Sequence, residues 1–172
     1  MNILAVETST ERCSVSLATA TSEIENHVIA PKGQATLVIK MAEEMLKQCD
    51  LQKSDLNAIA FGSGPGSFNG IRVAASFAHG VAMAQNIDIV PCSTLHALAM
   101  TPNLTASQNV LVISDARQNE VYWSCVRLSA EGQIEKIIIE KTGRITAHKI
   151  PNIDCLYKTV ISFLTIKYSK SL

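Results

Sequence analysis

Residues 62–72 read Gly-Ser-Gly-Pro-Gly-Ser-Phe-Asn-Gly-Ile-Arg, a glycine-rich run that leads into an apolar segment without proline. Glycine permits positive φ angles and a close backbone approach. The apolar segment, residues 71–85, is predicted to be a helix, and residues 57–61 before the run are predicted to be a strand. A strand, a glycine loop and a helix in this order place unpaired backbone N–H groups at a helix N-terminus, which is typical of an α/β domain.

Two interpretations of the glycine loop follow from the residues alone. An anion such as a nucleotide phosphate binds well at a helix N-terminus, and it would then contact Gly64, Gly66 and Ser67. The run lacks the Gly-Lys-Ser/Thr ending of a P-loop and the spacing of a dinucleotide fingerprint. A turn that is tight only for packing is therefore the favoured alternative.

The predicted helix after the loop carries alanines at four-residue steps, so one of its faces has almost no side-chain bulk. Such a face lets another helix approach closely. A second predicted helix, residues 34–49, has a broad apolar face. Either this helix fills the space beside the alanines within the same lobe, or a second chain does. The candidate partner-binding residues are Leu37, Met41, Met45, Ile71, Ala74, Ala78 and Ala82.

The remaining pattern predicts two similar three-stranded meanders. A strand at residues 87–90, a short helix at 93–100 and a polar linker at 101–108 separate them, and we place the boundary between two lobes after residue 105. Two meanders of this kind indicate a duplicated unit. The predicted strands are residues 2–8, 13–20 and 23–30 in the first meander, and residues 110–114, 120–128 and 133–140 in the second.

Composition and charge exclude several classes of protein. The 172 residues include 15 Lys and Arg against 15 Asp and Glu, without a basic block. A partner would therefore have to provide any binding of tRNA or DNA. The N-terminus has no basic region, and Glu7 interrupts its apolar run, so no signal peptide is predicted. The apolar run at residues 160–166 is far shorter than the about 20 residues that cross a bilayer. We therefore expect a cytoplasmic protein that does not bind membranes.

The cysteines and histidines show no pattern of a metal or catalytic site. The five cysteines are scattered and contain no Cys-x-x-Cys, so we expect them to be reduced and structural. The histidines have neither metal-ligand spacing nor a Ser-His-Asp arrangement, and we expect each at the surface or in a capping position. They are His27, His79, His96 and His148.

Two acidic residues follow predicted strands at equivalent places in the two meanders. Glu7, with Ser9 close behind it, and Asp115 could each meet a metal-bound phosphate. Neither segment has a glycine where the backbone would press against phosphate. An ordinary turn at the end of a strand is the favoured interpretation of both.

Four ordered segments carry a more specific signature than the glycine loop alone. Besides residues 62–72, they are Ile3-Leu4-Ala5-Val6-Glu7-Thr8-Ser9, Cys92-Ser93-Thr94-Leu95 and Asp115-Ala116-Arg117-Gln118-Asn119-Glu120-Val121-Tyr122-Trp123. Together they resemble the TsaB (YeaZ) family of bacterial tRNA threonylcarbamoyladenosine biosynthesis. The resemblance covers roughly residues 1–145.

This resemblance implies an α/β, actin-like ATPase (RNase H-like) fold with a mixed sheet and helices. It also implies membership of the complex that places threonylcarbamoyl on N6 of the adenosine next to the anticodon, in tRNAs that read codons beginning with A. In that family the related TsaD subunit is catalytic. TsaB is a non-catalytic scaffold that binds TsaD through helices of the first lobe, and it forms a homodimer through the same surface.

The partners implied for this chain are therefore a TsaD-like catalytic subunit, a TsaE-like ATPase subunit, a second copy of the chain, and tRNA only through the complex. We expect no cofactor on the chain alone, and ATP or ADP at the interface of the complex. Thr94 and Leu98 stand where the catalytic relative has the histidines of a metal-binding His-x-x-x-His segment. Residues 115–117 stand where it has a glycine-bearing phosphate loop. Both departures favour a chain that does not hydrolyse ATP.

A third departure concerns the second lobe, residues 106–172. Its tail from about residue 146 matches nothing recognisable, as in a truncated or frameshifted form. We expect an incomplete, marginal lobe with exposed apolar surface and strand edges. Two other functions stay open. One is an actin-fold small-molecule kinase or ATPase that uses Glu7, Gly66 and Asp115 around a nucleotide, and the other is a regulatory homodimer.

Overall fold

The computed structural model describes residues 1–100, 107–117, 120–143 and 155–158. The chain divides into two compact units, Met1–Thr94 and Leu95–Leu172. The division falls after the first residue of the short helix that we expected to close the first lobe, and not after residue 105. Leu95 and Ala99 of that helix are fully buried in an apolar cluster of the second unit, so this helix packs with the strands that follow it.

The first unit is a five-stranded mixed sheet with two helices. Its strand order is β3-β2-β1-β4-β5, with antiparallel pairing among the first three strands in sequence and parallel pairing of β1 with β4 and of β4 with β5. This is the actin-like, RNase H-like arrangement predicted from the sequence. In chain order the elements are β1 (Ile3–Glu7), β2 (Arg12–Ala18), β3 (Glu23–Ile29), α1 (Gln34–Gln48), a 3-10 turn (Lys53–Asp55), β4 (Ala58–Gly64), α2 (Phe68–Gln85) and β5 (Asp88–Ser93).

The core of the first unit lies between its sheet and its two helices. The strand residues that face the helices are apolar and buried, as Leu4 and Val6 show, while their neighbours along the strand are only half-buried. This alternation follows from the two-residue period of a strand. The face opposite α1 and α2 carries small side chains such as Ala5 and Ala60, which pair across β1 and β4.

The prediction of a partner-binding face is wrong for the central residues of that face, because their side chains belong to this core. Met41, Met45, Ala74 and Ala78 are at most 2% exposed. The more peripheral Leu37 and Ala82 pack against the same cluster, and Ile71 is half-buried. The helix period shows that a face will be covered, and here the core that the sheet and α1 also line covers the alanines of α2.

The second unit begins with α3 (Thr94–Ala99, of which Thr94 belongs to the first unit), and its described residues continue with four strands. Their order is β8-β7-β6-β9, with β6, β7 and β8 antiparallel in sequence and β9 parallel to β6. This repeats the order β3-β2-β1-β4 of the first unit and confirms the two meanders. The strands are β6 (Gln108–Arg117), β7 (Glu120–Leu128), β8 (Ile134–Gly143) and β9 (Cys155–Lys158). The last of them falls within the stretch from about residue 146 that we expected to match nothing.

Apolar clusters line both faces of the second sheet. Trp123 packs with Leu111 and Cys125 on one face, and Tyr122 packs against the cluster around α3 on the other. The two neighbouring aromatics therefore point to opposite sides of the sheet, as the two-residue period of a strand requires. Ile137 and Ile138 on β8 are exposed, so this strand leaves apolar surface open. Of the described helices, none is both long and apolar enough to cross a membrane.

Candidate functional site

The glycine loop lies where β4 ends and α2 begins, beside the turn that leads out of β1. Gly64 is the last residue of β4 and has a φ angle of 96°. Ser67 is the N-cap of α2, and its hydroxyl accepts a hydrogen bond from the Gly70 N–H at 3.4 Å. β4 runs farther and α2 starts earlier than the sequence predicted, because the loop proper is short.

Two glycines of this loop are needed because backbone passes close to them. A β carbon on Gly66 would lie 2.6 Å from the Ser9 carbonyl oxygen, and one on Gly70 would lie 2.8 Å from the Thr8 carbonyl carbon. The turn after β1 therefore fills the space in front of both residues. Of the two interpretations of the loop, this packing favours the tight turn.

Hydrogen bonds fasten the turn after β1 to the start of α2. The Ser67 N–H donates to the Ser9 carbonyl oxygen at 2.6 Å, and the Thr8 hydroxyl donates to the Gly70 carbonyl oxygen at 2.7 Å. Thr8 and Ser9 are both buried. One N–H group at the start of α2, which an anion could have used, is thus already satisfied within the chain.

The Glu7 carboxylate, a predicted phosphate-site residue, is hydrogen-bonded on both oxygens. Oε1 accepts from the Ser9 N–H at 2.6 Å, and Oε2 accepts from the Thr94 hydroxyl at 2.9 Å. The Thr94 hydroxyl also lies 3.3 Å from the Ser9 hydroxyl. The sequence did not predict this partnership, because 87 positions separate Glu7 from Thr94.

The structure brings together five of the six predicted phosphate-site residues, all in the first unit: Glu7, Ser9, Gly64, Gly66 and Ser67. The sixth, Asp115, lies in the second unit. It is exposed and sits within β6 opposite Val121, so the prediction of a strand-end turn at residues 115–117 is wrong. The β6–β7 pairing continues to Arg117 opposite Glu120, with a register shift between Asp115 and Arg117.

Residues capable of binding a metal do not converge in the described part of the chain. No group of three or more His, Cys, Asp or Glu side chains there could hold a metal ion. His27 and His79 are exposed, as expected. His96 is different: its Nε2 lies 2.8 Å from Glu140 Oε2, which joins α3 to β8. The prediction for His148 lies outside the described residues.

A second candidate surface is the outward face of α2, which the sequence analysis missed. Five exposed residues follow one another there at steps of four, four, four and three positions: Phe68, Arg72, Ser76, Gly80 and Met83. Residues at such steps share one face of a helix. Met83 is 84% exposed and Phe68 is 68% exposed. The helix period identifies these positions only once the alanine face is known to be turned inward.

Small residues lie between two bulky apolar ends on this outward face. The Arg72 guanidinium lies 3.8 Å from the centroid of the Phe68 ring, which is stacking distance for a cation–π pair. A β carbon on Gly80 would meet nothing within 4 Å. The centre of the face is therefore a shallow, open strip.

Comparisons with known proteins point to one family. The family model described as TsaD, tRNA N6-adenosine threonylcarbamoyltransferase, matches residues 27–168. A Haemophilus influenzae protein, described as tRNA threonylcarbamoyladenosine biosynthesis protein TsaB, is 38% identical over 127 residues, covering 73% of this chain and 54% of that protein. The protein of the same description from Buchnera aphidicola subsp. Acyrthosiphon pisum is 30% identical over 162 residues, covering 88% of this chain and 70% of its own.

Solved structures agree with these relatives. The structure described as YeaZ from Pseudomonas aeruginosa superimposes with a TM-score of 0.79 at 26% identity, over 93% of this chain and 85% of that one. The chain spans about half the length of the Haemophilus influenzae relative that it matches. The family-model match runs to residue 168, well past the point near residue 146 where we expected recognisable similarity to stop.

Proposed function

This chain belongs to the TsaB (YeaZ) family of tRNA threonylcarbamoyladenosine biosynthesis proteins, and from that premise we propose that it is a non-catalytic scaffold subunit of the complex that forms N6-threonylcarbamoyladenosine in tRNA. Its role is to bind and support a TsaD-like catalytic subunit. The tRNAs concerned are those that read codons beginning with A. The chain contacts them only through the complex, since its 15 Lys and Arg are balanced by 15 Asp and Glu.

The observation that carries the proposal is the outward face of α2. Phe68 and Met83 are large apolar side chains that are mostly exposed, and exposed apolar residues grouped on one face favour a protein partner. Ser76 and Gly80 between them let a partner helix approach more closely than usual. Phe68 and Arg72 add aromatic and guanidinium surface, and both groups are enriched at protein interfaces.

The non-catalytic role is supported by what Thr94 and Leu98 do. They align with the metal-binding histidines of the catalytic relative, but the Thr94 hydroxyl donates to Glu7. Leu98 packs against the apolar cluster of the second unit. Both side chains serve the fold, and neither supplies an imidazole to a metal.

Nucleotide belongs to the complex in this proposal. The turn after β1 fills the space before Gly66 and Gly70, and the Ser67 N–H is already bonded, so a phosphate would have to displace part of the chain itself. We expect titration of the isolated chain with Mg²⁺–ADP to give no heat of binding, and the assembled complex to bind it. Tight binding by the isolated chain would favour the alternative, a small-molecule kinase or ATPase.

Isothermal titration calorimetry of the chain with a purified TsaD-like subunit tests the interface. Ser76→Trp places a bulky ring at the centre of the open strip and should weaken binding by about thirtyfold or more, the size of a hot-spot loss. Ala20→Trp, at an exposed turn between β2 and β3, is the matched control and should bind normally. Equal affinity for both variants would overturn this choice of surface.

The homodimer and a TsaE-like ATPase complete the proposed set of partners. If the chain pairs with itself through the same face, Ser76→Trp should also yield monomers in sedimentation equilibrium. A TsaE-like subunit should join only after the TsaD-like one is bound.

Nucleoside analysis of tRNA from a strain that depends on this chain tests the role as a whole. Normal threonylcarbamoyladenosine after loss of the chain would favour the regulatory homodimer instead.

A further inference from the structure

Glu7 is a half-buried carboxylate whose surroundings hold it in one position. One oxygen accepts the Ser9 N–H at 2.6 Å and the other accepts the Thr94 hydroxyl at 2.9 Å. Hydrogen bonds to an ionised acceptor are shorter and roughly twice as strong as neutral ones. The carboxylate is therefore clamped between the turn after β1 and the residue that follows β5.

Gly62 of β4 lies against the same carboxylate. A β carbon on Gly62 would overlap Glu7 Oε2 and would lie too close to its other carboxylate atoms. Gly62 pairs with Cys92 of β5, so the carboxylate lies over the neighbouring ends of three parallel strands. Glycine at position 62 is thus the residue that leaves room for the Glu7 side chain.

Thr94 is buried, which makes its hydroxyl bonds important. The residue is 6% exposed, and its hydroxyl also lies 3.3 Å from the buried Ser9 hydroxyl. A buried hydroxyl without a partner is costly. The bonds to Glu7 and Ser9 therefore account for the position of Thr94 within the first unit.

We infer that Glu7 is a positioning residue whose carboxylate locks together the carboxyl ends of β1, β4 and β5. The lock consists of Glu7, Ser9, Gly62 and Thr94. Every one of these residues belongs to the first unit. This inference is independent of the proposed function, because it rests only on contacts within the chain.

One test is hydrogen–deuterium exchange of backbone amides in the intact chain, read at Ser9 and Ser67. Thr94→Val keeps the shape of the side chain but removes the donor, and it should speed exchange at these amides about fivefold, the equivalent of one hydrogen bond. Thr94→Ser keeps a hydroxyl and should restore slow exchange. Thr36→Val, at an exposed position on α1, is the matched control and should leave these amides unchanged.

A second test is a double-mutant cycle between Glu7 and Gly62, read as the urea midpoint. Gly62→Ala should lower the midpoint in the wild-type chain, because the new methyl group meets the carboxylate. The same change should have little effect in a Glu7→Ala background, because the obstructing side chain is gone. A merely crowded backbone at Gly62 would give the same loss in both backgrounds.

The inference is overturned if Gly62→Ala costs as much without the Glu7 carboxylate as with it. It is also overturned if Thr94→Val exchanges like the wild type, or if exchange rises evenly over all strands of the first unit. Should Glu7→Ala fail to fold, the comparison of Thr94→Val with Thr94→Ser still decides.

Discussion

Glycines of the same chain differ in what surrounds them, and that difference decides how each tolerates a side chain. Gly66 faces the Ser9 backbone, and a β carbon on it would lie only 2.6 Å from the Ser9 carbonyl oxygen, whereas Gly80 faces open space on the outside of α2. Backbone atoms in a close-packed interior have little room to move aside. The two positions therefore form a natural pair for measurement.

We predict opposite effects of alanine at these two positions. Gly66→Ala should lower the free energy of unfolding by about 2 kcal/mol through overpacking. Gly80→Ala should raise it by about 0.5 to 1 kcal/mol, because alanine is the better helix residue. Urea denaturation followed by circular dichroism measures both. A Gly66→Ala variant as stable as the wild type would show that the turn after β1 yields easily.

The cysteines differ in reactivity because they differ in burial. Burial raises the pKa of the Cys13 thiol, whose residue is fully buried in β2, while Cys92 on β5 is exposed. The thiolate is the reactive form. Alkylation of the folded chain at mildly alkaline pH should therefore modify Cys92 and spare Cys13, as peptide mass spectrometry would show. Labelling of Cys13 at the rate of Cys92 would contradict its placement in the core.

The same shift has a consequence for stability at high pH. The pKa of the Cys13 thiol is higher in the folded than in the unfolded chain, so above the ordinary thiol pKa this thiol ionises readily only in the unfolded chain. The contribution of Cys13 to stability is therefore complete below that ordinary pKa and is lost as the pH rises through the raised pKa.

At the scale of an element, α2 presents two unlike faces. Its inward face carries fully buried alanines in the core of the first unit, and its outward face carries Phe68, Arg72, Ser76, Gly80 and Met83. Both faces are poor in bulk near their centres. Small residues favour close helix packing whether the second helix belongs to the same chain or to a partner. Only the burial of each residue therefore shows which face is covered within the chain.

Tryptophan substitutions should separate the two faces of α2. Ala78→Trp places a large ring in a filled core and should cost about 3 kcal/mol or more, or prevent folding of the first unit. Ala84→Trp, on an exposed turn of the same helix, should change the free energy of unfolding by less than about 0.5 kcal/mol. Thermal unfolding followed by far-ultraviolet circular dichroism measures both. A stable Ala78→Trp variant would mean that this position does not lie in the core.

At the scale of the whole molecule, each unit has its own apolar core. The helices α1 and α2 belong to the first unit, and Trp123, the single tryptophan, belongs to the second. Helical circular dichroism and tryptophan fluorescence therefore report mainly on different units. The two signals can be followed in the same urea titration.

We predict that the two signals separate when one unit is weakened. Gly66→Ala should lower the urea midpoint seen by circular dichroism more than the midpoint seen by Trp123 fluorescence, because the clash lies in the first unit alone. Non-coincident transitions of this kind are the standard evidence against two-state unfolding. An equal shift in both signals would show that the units unfold as one.

Much of the fold was predictable because its signals are local. The strands β1, β2, β3 and β7 follow from residue alternation and turn residues, and α1 follows from its helical period. The order of these elements, with four short motifs, was enough for the fold class and the family. The boundaries around α2 and the assignment of α3 to a unit were predicted less well, because tertiary packing decides where β4 ends and which strands α3 covers.

The glycine loop at residues 62–72 shows where local signals end. The sequence determined that a strand, a tight loop and a helix follow one another there, since glycine, N-cap and periodicity act over a few residues. Tertiary structure decided that the turn after β1 fills the loop, that the core of the first unit covers the alanine face and that Glu7 holds Thr94 from 87 positions away. Contacts of such separation depend on how the whole chain packs, and no short stretch of sequence specifies them.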